Sequence, residues 1–231
     1  MVAKPSKTSH LTFRCICPVC KNKHVEAESA ACIDCLLSLP RTDSHLNPHN
    51  SVEKQIDGRF PFERIVTFSK FNKGGTLQPI IHELKYKNNP HIGISIGEAF
   101  GLQLLQSPFI TTIDFIVPIP LHKRKIKKRG YNQSLLIAQG ISRTTGIPIS
   151  DDNLTREIDN PSQTRLSKTQ RWQNVEGIFK LNNPPQFAGK HILLLDDIIT
   201  TGSTIEACAH TLLSAPNIKI SVATIGEAIQ N

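Results

Sequence analysis

Two neighbouring carboxylates stand between an aliphatic run and a turn rich in hydroxyl groups. The acid pair, Asp196 and Asp197, follows the aliphatic residues 192–195, and two residues later comes the hydroxyl turn: Thr200, Thr201, Gly202, Ser203 and Thr204. A helical apolar pattern begins at this turn, so its backbone N–H groups and the helix dipole would favour an anion. The acid pair would repel that anion, but it can accept hydrogen bonds from the vicinal hydroxyls of a sugar. The spacing therefore predicts a ribose 5-phosphate site.

Three other interpretations apply to an aliphatic strand that ends in two acids. A nucleotide-hydrolysing motor places such acids beside Mg²⁺, but it also needs the pattern G-x-x-x-x-G-K-[ST], which this chain lacks. A phospho-acceptor site of a signalling receiver is the second. The third is an ordinary buried strand whose acids cap the next helix, although one acid would be enough for a cap.

Four cysteines form two C-x-x-C pairs near the start of the chain: Cys17, Cys20, Cys32 and Cys35. Two such turns can close a tetrahedral site of four thiolates around zinc, and a site closed in this way is structural. A redox dithiol is the alternative, but it would need one pair only. Cys15 is left over, either as a bystander or as a substitute for Cys17, and Cys208 fits a small core residue.

Six of the seven residues between positions 123 and 129 are basic: Lys123, Arg124, Lys125, Lys127, Lys128 and Arg129. They follow a predicted strand at 112–120, and ligands of open α/β sheets collect at the edge where strands end. Three interpretations stay open, namely contact with a diphosphate, contact with a nucleic-acid backbone, and a solvated loop. The first two are compatible with each other.

Strands and helices alternate around these groups, which predicts an α/β fold with a mainly parallel sheet covered by helices on both faces. Predicted strands lie at 64–71, 112–120, 147–158, 177–181, 191–195 and 218–226. Predicted helices lie at 76–86, 92–106, 132–144 and 203–213, and the basic residues 123–129 are expected to form a loop.

The 231 residues suffice for one large core and a small accessory module. Composition divides the chain into a tail (1–12), a zinc-binding module (13–40), a polar linker (41–61) and an α/β domain (62–231). A net charge of +8 favours anionic partners. We find no apolar run long enough to cross a bilayer and no secretory signal, so we expect a cytoplasmic protein without membrane insertion.

The stretch from 192 to 204 resembles the phosphoribosyl diphosphate (PRPP) motif of type I phosphoribosyltransferases. That resemblance implies that Asp196 and Asp197 contact the ribose 2- and 3-hydroxyls and support Mg²⁺, while Thr200 to Thr204 hold the 5-phosphate. These enzymes also carry a flexible basic catalytic loop just before the acid-pair strand. Here this corresponds to residues 163–175, where Arg171 is expected to contact the diphosphate; a plain surface helix from 167 to 175 is the alternative.

Four stretches in chain order, CPVC…CIDC, VPIP with KKRGYNQS, QTRLSKTQRWQNVEGIF and LLLDDIITTGST, resemble the ComF/GntX family of competence-associated, amidophosphoribosyltransferase-like proteins. LKYKNN at 84–89 also fits, although Asn88 stands where that family often has glycine. The resemblance implies a bacterial cytoplasmic protein needed for natural transformation. It would act on or beside incoming single-stranded DNA, with helicase-like and recombination-mediator partners.

Three functional hypotheses follow, two of them main ones. In the first, the chain is an enzyme or former enzyme that binds Mg²⁺–PRPP, and cleavage at the anomeric carbon releases diphosphate through positioning and electrostatics, without a protein nucleophile. In the second, the chain is a non-catalytic adaptor whose basic surface binds single-stranded DNA and protein partners. A zinc-ribbon nucleic-acid binder with an irrelevant second domain is a weaker third.

Overall fold

The computed structural model of the protein describes residues 14–26, 29–159 and 177–228. The strands in these ranges are β1 (Arg14–Ile16), β2 (His24–Glu26), β3 (Ile65–Phe71), β4 (Phe115–Pro118), β5 (Leu154–Arg156), β6 (Phe179–Leu181), β7 (His191–Ile199) and β8 (Lys219–Ala228). The α-helices are α1 (Ile33–Leu37), α2 (Ser51–Ile56), α3 (Leu77–Tyr86), α4 (Pro90–Leu104), α5 (Lys123–Arg129), α6 (Gln133–Thr145) and α7 (Ser203–Leu212). No helix in the described part of the chain has both the length and the apolar character to span a bilayer.

The central sheet has four parallel strands in the order β3-β8-β7-β4. Strand β7 lies inside this sheet, and its aliphatic residues alternate between two cores, since Leu193 and Leu195 pack on one face while Ile192 and Leu194 pack on the other. A strand buried on both faces must be apolar throughout, which explains the unbroken aliphatic run. The predicted α/β fold with a parallel sheet is confirmed.

Helices cover both faces of the sheet. One core contains residues of α3, α4 and α6 together with four cysteines of the N-terminal segment, and the other contains residues of α2 and α7. The 3₁₀-helix Pro184–Phe187 and the ribbon of β5 and β6 also contribute to the second core. Because the four strands of the central sheet are parallel, their carboxyl ends share one edge, and the acid pair lies at this edge.

Three regions of the predicted α/β domain differ from the sequence-based expectation. The basic residues 123–129 form helix α5, which His122 caps at its start and which ends at Gly130 in the left-handed region with a φ of 86°. The predicted strands at 147–158 and 177–181 pair mainly with each other as the antiparallel β5–β6 ribbon. Finally, β7 continues past the acid pair to Ile199, because β8 pairs with it as far as Glu227.

The polar segment 41–61, expected to be a linker, carries helix α2 and packs against the sheet. Asn50 and Glu53 form a capping box at the start of α2. The side chains of Val52, Ile56 and Phe60 are buried in the second core. This segment is thus folded onto the α/β unit, while the domain limits drawn from composition stay a prediction.

Candidate functional site

The acid pair lies on β7 at the carboxyl edge of the central sheet, and both acidic residues are partly exposed. Oδ1 of Asp196 accepts hydrogen bonds from the Ser134 hydroxyl at 3.1 Å and from the backbone N–H of Asp197 at 2.9 Å. Ser134 is in the first turn of α6, so the start of this helix is fixed next to the acid pair.

Burial, followed by the charge of Asp197, raises the pKa of Asp196 to about 7. The Asp197 N–H, the charge of Lys85 and the Ser134 hydroxyl act in the opposite direction but do not cancel the rise. A carboxylate that loses solvent beside a second carboxylate is costly to ionise. A bound cation would favour the ionised form of Asp196, because it would offset the charge of the acid pair.

Asp197 forms an ion pair with Lys85, whose Nζ lies 2.8 Å from Oδ2 of the carboxylate. Lys85 belongs to the last turn of α3 and is far from Asp197 in sequence. The bonds described so far use Oδ1 of Asp196 and Oδ2 of Asp197, and a carboxylate has about four acceptor positions. Both acids therefore retain acceptor capacity for a ligand at the exposed edge.

The hydroxyl turn connects β7 to α7. Thr200, Thr201, Ser203 and Thr204 are exposed, whereas Gly202 is buried at the N-cap of α7 with a φ of +76°. This backbone conformation favours glycine, because other residues rarely adopt it. The turn thus presents hydroxyl groups and the N-terminus of a ten-residue helix to solvent, which is the arrangement that suits an anion.

Helix α5 has two different faces. Lys125 and Arg129, one helical turn apart, are half-buried, and burial is the main cause of a lowered pKa of Lys125, with the charge of Arg156 adding to it. The remaining four basic residues are exposed: Lys123, Arg124, Lys127 and Lys128. The six basic residues are therefore divided between the interior side and the solvent side of one short helix.

The stretch after α5 joins three elements at the same edge. The Tyr131 hydroxyl donates to the carbonyl of Leu84 in α3 at 2.9 Å. The Asn132 amide donates to the carbonyl of Ile119 just after β4 at 3.0 Å, and its Oδ1 caps α6 by accepting from Ser134 N–H. The RGYNQS sequence thus positions Ser134 and, through α3, the lysine that pairs with Asp197.

Asn88 lies at a left-handed position with a φ of 51°, close after the end of α3. Asparagine is one of the few residues besides glycine that adopt this region readily. Asn88 can therefore adopt the backbone conformation that a glycine at this position would allow.

Sequence reasoning missed several residues of this edge. Lys85 and Ser134 contact the acid pair, and Arg156 of β5 is near enough to influence the pKa of Lys125. Lys85 and Ser134 lie in LKYKNN and KKRGYNQS, two stretches that carry the family resemblance. Arg171, expected in the catalytic loop, lies outside the described residues.

The four cysteines of the two C-x-x-C pairs come together. The Sγ atoms of Cys17, Cys20, Cys32 and Cys35 all lie within 4.8 Å of one another, and those of Cys20 and Cys32 are 3.9 Å apart. Tetrahedral Zn–S bonds of about 2.3 Å would place sulfur atoms about 3.8 Å apart. The set therefore fits a zinc ion, while Cys15 is exposed on β1 and outside this group.

Comparison with known proteins gives one domain match and several relatives. The phosphoribosyl transferase domain family matches residues 131–228. DNA utilization protein YhgH of Escherichia coli (strain K12) is 32% identical over 201 residues, which covers 86% of this chain and 84% of that protein. Competence protein F of Haemophilus influenzae is 36% identical over 98 residues, covering 42% and 43% of the two chains. Competence protein ComFC of Bacillus subtilis is 36% identical over 125 residues, covering 51% and 49%.

Two solved structures are similar over part of the chain. The allosteric regulatory enzyme of purine biosynthesis is 17% identical with a TM-score of 0.42, over 61% of this chain and 29% of that one. The purine phosphoribosyltransferase from Pyrococcus horikoshii Ot3 is 12% identical with a TM-score of 0.36, over 58% of this chain and 83% of that one.

Proposed function

This chain belongs to the ComF family of competence-associated, phosphoribosyltransferase-like proteins, and from that premise we propose that it binds PRPP with Mg²⁺ and serves natural transformation. The observation that carries the proposal is the position of the acid pair at the carboxyl edge of a central parallel strand, directly before the exposed hydroxyl turn at the start of α7. Ligands of open α/β sheets bind at this edge.

In this proposal the acid pair accepts hydrogen bonds from the two ribose hydroxyls, and the hydroxyl turn binds the 5-phosphate. Asp196 and Asp197 are also the oxygen ligands that would hold a hydrated Mg²⁺, which would offset the negative charge of the diphosphate. Ser134 and Lys85 keep the two carboxylates in place through a hydrogen bond and an ion pair.

The half-buried face of α5 supports a diphosphate contact. Lys125 and Arg129 lie on the face of α5 that is turned toward the protein, and Lys125 has a lowered pKa. Cations in a partly dry position interact more strongly with an anion than exposed cations do. We assign the diphosphate to these two residues and, as a further part of the proposal, to Arg171.

Departure of diphosphate from the anomeric carbon would need positioning and charge neutralisation, and both are within the reach of these groups. Binding of PRPP is the step shared by a phosphoribosyl-transferring enzyme and by an adaptor that PRPP regulates. The proposal therefore concerns the binding step first, and turnover with an acceptor second.

The adaptor hypothesis has an observation of its own in the exposed face of α5. Lys123, Arg124, Lys127 and Lys128 are exposed together on a short helix, and such a face fits the phosphate backbone of single-stranded DNA. The relatives named for DNA utilization and competence favour a partner of this kind. Helicase-like and recombination-mediator proteins in the cytoplasm would be its protein partners.

Calorimetric titration with Mg²⁺ and PRPP tests the proposal on the wild type and on Asp196→Asn/Asp197→Asn. We expect a dissociation constant between about 1 μM and about 1 mM for the wild type, and binding at least about tenfold weaker for the variant, or about 1.4 kcal/mol. The exposed acids Asp151 and Asp152 offer a matched control, since Asp151→Asn/Asp152→Asn removes the same charge elsewhere. Equal binding by the wild type and the site variant would refute the ribose assignment.

Single-stranded DNA binding is measured on the same three proteins over a range of salt concentrations. The adaptor hypothesis predicts strongly salt-dependent binding that survives loss of the acid pair. DNA binding that disappears together with PRPP binding would tie both ligands to one site and contradict a separate DNA surface.

A further inference from the structure

The last residues of α2 and the turn that follows it contact the hydroxyl turn. The Gln55 amide donates to the carbonyl of Thr200 at 3.4 Å, and Nη1 of Arg59 donates to the carbonyl of Thr201. Both donors come from the stretch 41–61, whose composition predicts a linker. Two successive carbonyl groups of the turn are therefore held toward this segment.

The orientation of these carbonyls decides where the neighbouring N–H groups point. A trans peptide unit is planar, so its C=O and its N–H face opposite directions, and the described residues contain no cis peptide. With the Thr200 and Thr201 carbonyls turned toward Gln55 and Arg59, the N–H groups of Thr201 and Gly202 face away from them. Those are backbone donors of the kind that an anion needs.

Arg59 also contacts an acidic residue of α7. Its Nε lies 3.1 Å from Oε2 of Glu206, and Nη2 contacts the same carboxylate oxygen. Glu206 is in the first turn of α7, where its charge would repel a phosphate bound at the helix start. Since the two side chains are only 26% and 23% exposed, this ion pair is screened less than a surface pair.

The packing between Arg59 and the hydroxyl turn leaves no space for a larger residue. A Cβ atom on Gly202 would collide with Cδ1 of Ile56 and would approach Nη1 of Arg59 to 3.2 Å. The turn is therefore in direct contact with the arginine and cannot be displaced toward it.

We propose that Arg59 is a positioning residue for the 5-phosphate. Arg59 orients the hydroxyl turn so that the N–H groups of the turn face the ligand, and it neutralises the charge of Glu206. This inference rests on the proposed function of the hydroxyl turn. The inference adds Arg59 to the site, a residue that is far from the acid pair in sequence and that would act without contacting the ligand itself.

The test compares ribose 5-phosphate with Mg²⁺–diphosphate, because only the first ligand needs the hydroxyl turn. Both are titrated into the wild type, Arg59→Ala, Arg59→Lys and Arg59→Ala/Glu206→Gln, and thermal melting confirms that each protein is folded. Lys54→Ala is the matched control, since Lys54 is an exposed cation of α2. Lysine keeps the charge but cannot donate to Thr201 and Glu206 in the same forked geometry.

We expect Arg59→Ala to bind ribose 5-phosphate at least tenfold more weakly, while diphosphate affinity stays within twofold of the wild type. Arg59→Lys should lose at least threefold for ribose 5-phosphate. Removal of Glu206 in the double variant should restore part of the loss, because the repelling charge is gone. A general loss of stability would not produce this discrimination between two ligands.

Unchanged binding of ribose 5-phosphate by the folded Arg59→Lys variant would overturn the inference, and so would an equal loss for both ligands. If Arg59→Ala does not fold, the lysine variant decides alone. A wild type that binds neither ribose 5-phosphate nor PRPP would instead refute the function proposed for the turn, and the inference with it. The two kinds of failure are therefore distinguishable.

Discussion

The cysteine cluster and the acid-pair edge differ in how far apart their parts lie along the chain. The cluster takes its four cysteines from one short stretch between Cys17 and Cys35. The acid-pair edge combines β7 and the hydroxyl turn with Lys85 of α3, Ser134 of α6 and Arg59 after α2. A local motif thus specifies the first site, whereas the second depends on the completed fold.

The difference has a consequence for the chemistry of each site. Four thiolates around zinc satisfy the ion without outside help and leave no position for a substrate. The acid pair gets its properties from distant neighbours, since burial and Asp197 raise the pKa of Asp196 while Lys85 pairs with Asp197. A zinc ion enclosed by these four cysteines would serve structure, whereas the acid-pair edge keeps capacity for a ligand.

Loss of one ligand of the cysteine cluster should have the largest effect. We expect Cys32→Ser to reduce the zinc content from one ion per chain and to unfold the N-terminal segment, because structural zinc contributes about 10–16 kcal/mol in small domains. Metal analysis and thermal melting measure this. Cys15→Ser should keep full zinc content. A metal-free wild type with a folded N-terminal segment would contradict the zinc role of the cysteine cluster.

The next largest effect is expected for Gly202→Ala in the hydroxyl turn. Alanine there is strained at a φ of +76° and collides with Ile56, which should cost about 1–3 kcal/mol of unfolding free energy. Binding of ribose 5-phosphate should fall at least about tenfold (about 1.4 kcal/mol). Denaturant unfolding and calorimetry give the two values.

Gly146→Ala is the matched control for that prediction, because Gly146 has the same φ of +76° with nothing within 4 Å of its added Cβ. It should show the backbone strain without the loss of ligand affinity. A similar loss of affinity in both variants would mean that contact with Ile56 and Arg59 does not shape the turn.

The raised pKa of Asp196 makes the free energy of unfolding depend on pH. The folded protein holds this proton up to about pH 7, whereas an unfolded aspartate releases it near pH 4. The folded state thus binds more protons in that window, and its stability falls as the pH rises through it. Measured against Asp196→Asn, the wild type should lose about 1–2 kcal/mol between pH 4 and pH 7, less than the full shift because the side chain is partly exposed.

Denaturant unfolding at several pH values measures this difference. The Asp151→Asn variant removes one exposed carboxylate elsewhere on the protein and serves as the control. A constant difference between Asp196→Asn and the wild type across the window would contradict the raised pKa.

The smallest effects are expected when the two faces of α5 are separated. Lys127→Ala/Lys128→Ala should lower the salt slope of single-stranded DNA binding by about 1.4 and leave PRPP affinity within about twofold. Lys125→Ala/Arg129→Ala should weaken PRPP binding several-fold. Filter binding over a salt series and calorimetry provide the measurements, and identical profiles for the two variants would show that the faces are equivalent.

The sequence predicted the sheet and most of its helices, because residues such as Leu193 and Ile192 alternate between two cores and leave an unmistakable apolar run. It predicted the cysteine cluster for the same reason, namely that all the information is local. Helix α5 was missed because it is basic on nearly every side and has no apolar stripe. Its caps, His122 and Gly130, were the available signal.

Helix α2 was missed although its signals were readable. Val52, Ile56 and Phe60 recur at every fourth position, and Asn50 with Glu53 is a capping-box pattern. No comparable signal existed for the pairing of Lys85 with Asp197 or of Arg59 with Glu206, since the partners are distant in sequence and meet only after the sheet has formed. Such contacts are a property of the topology and cannot be read from spacing.

The cysteine-bearing segment does not stand apart from the rest of the molecule. Ala30 and Ala31 lie in the same core as Phe100 of α4, and the Ala30 N–H donates to the Ser95 hydroxyl of that helix at 3.2 Å. A truncation starting at residue 62 would expose the apolar side chains of α4 that Ala30 and Ala31 cover. Such a fragment would expose apolar surface to water and tend to aggregate, so binding assays should use a chain that includes the cysteine-bearing segment.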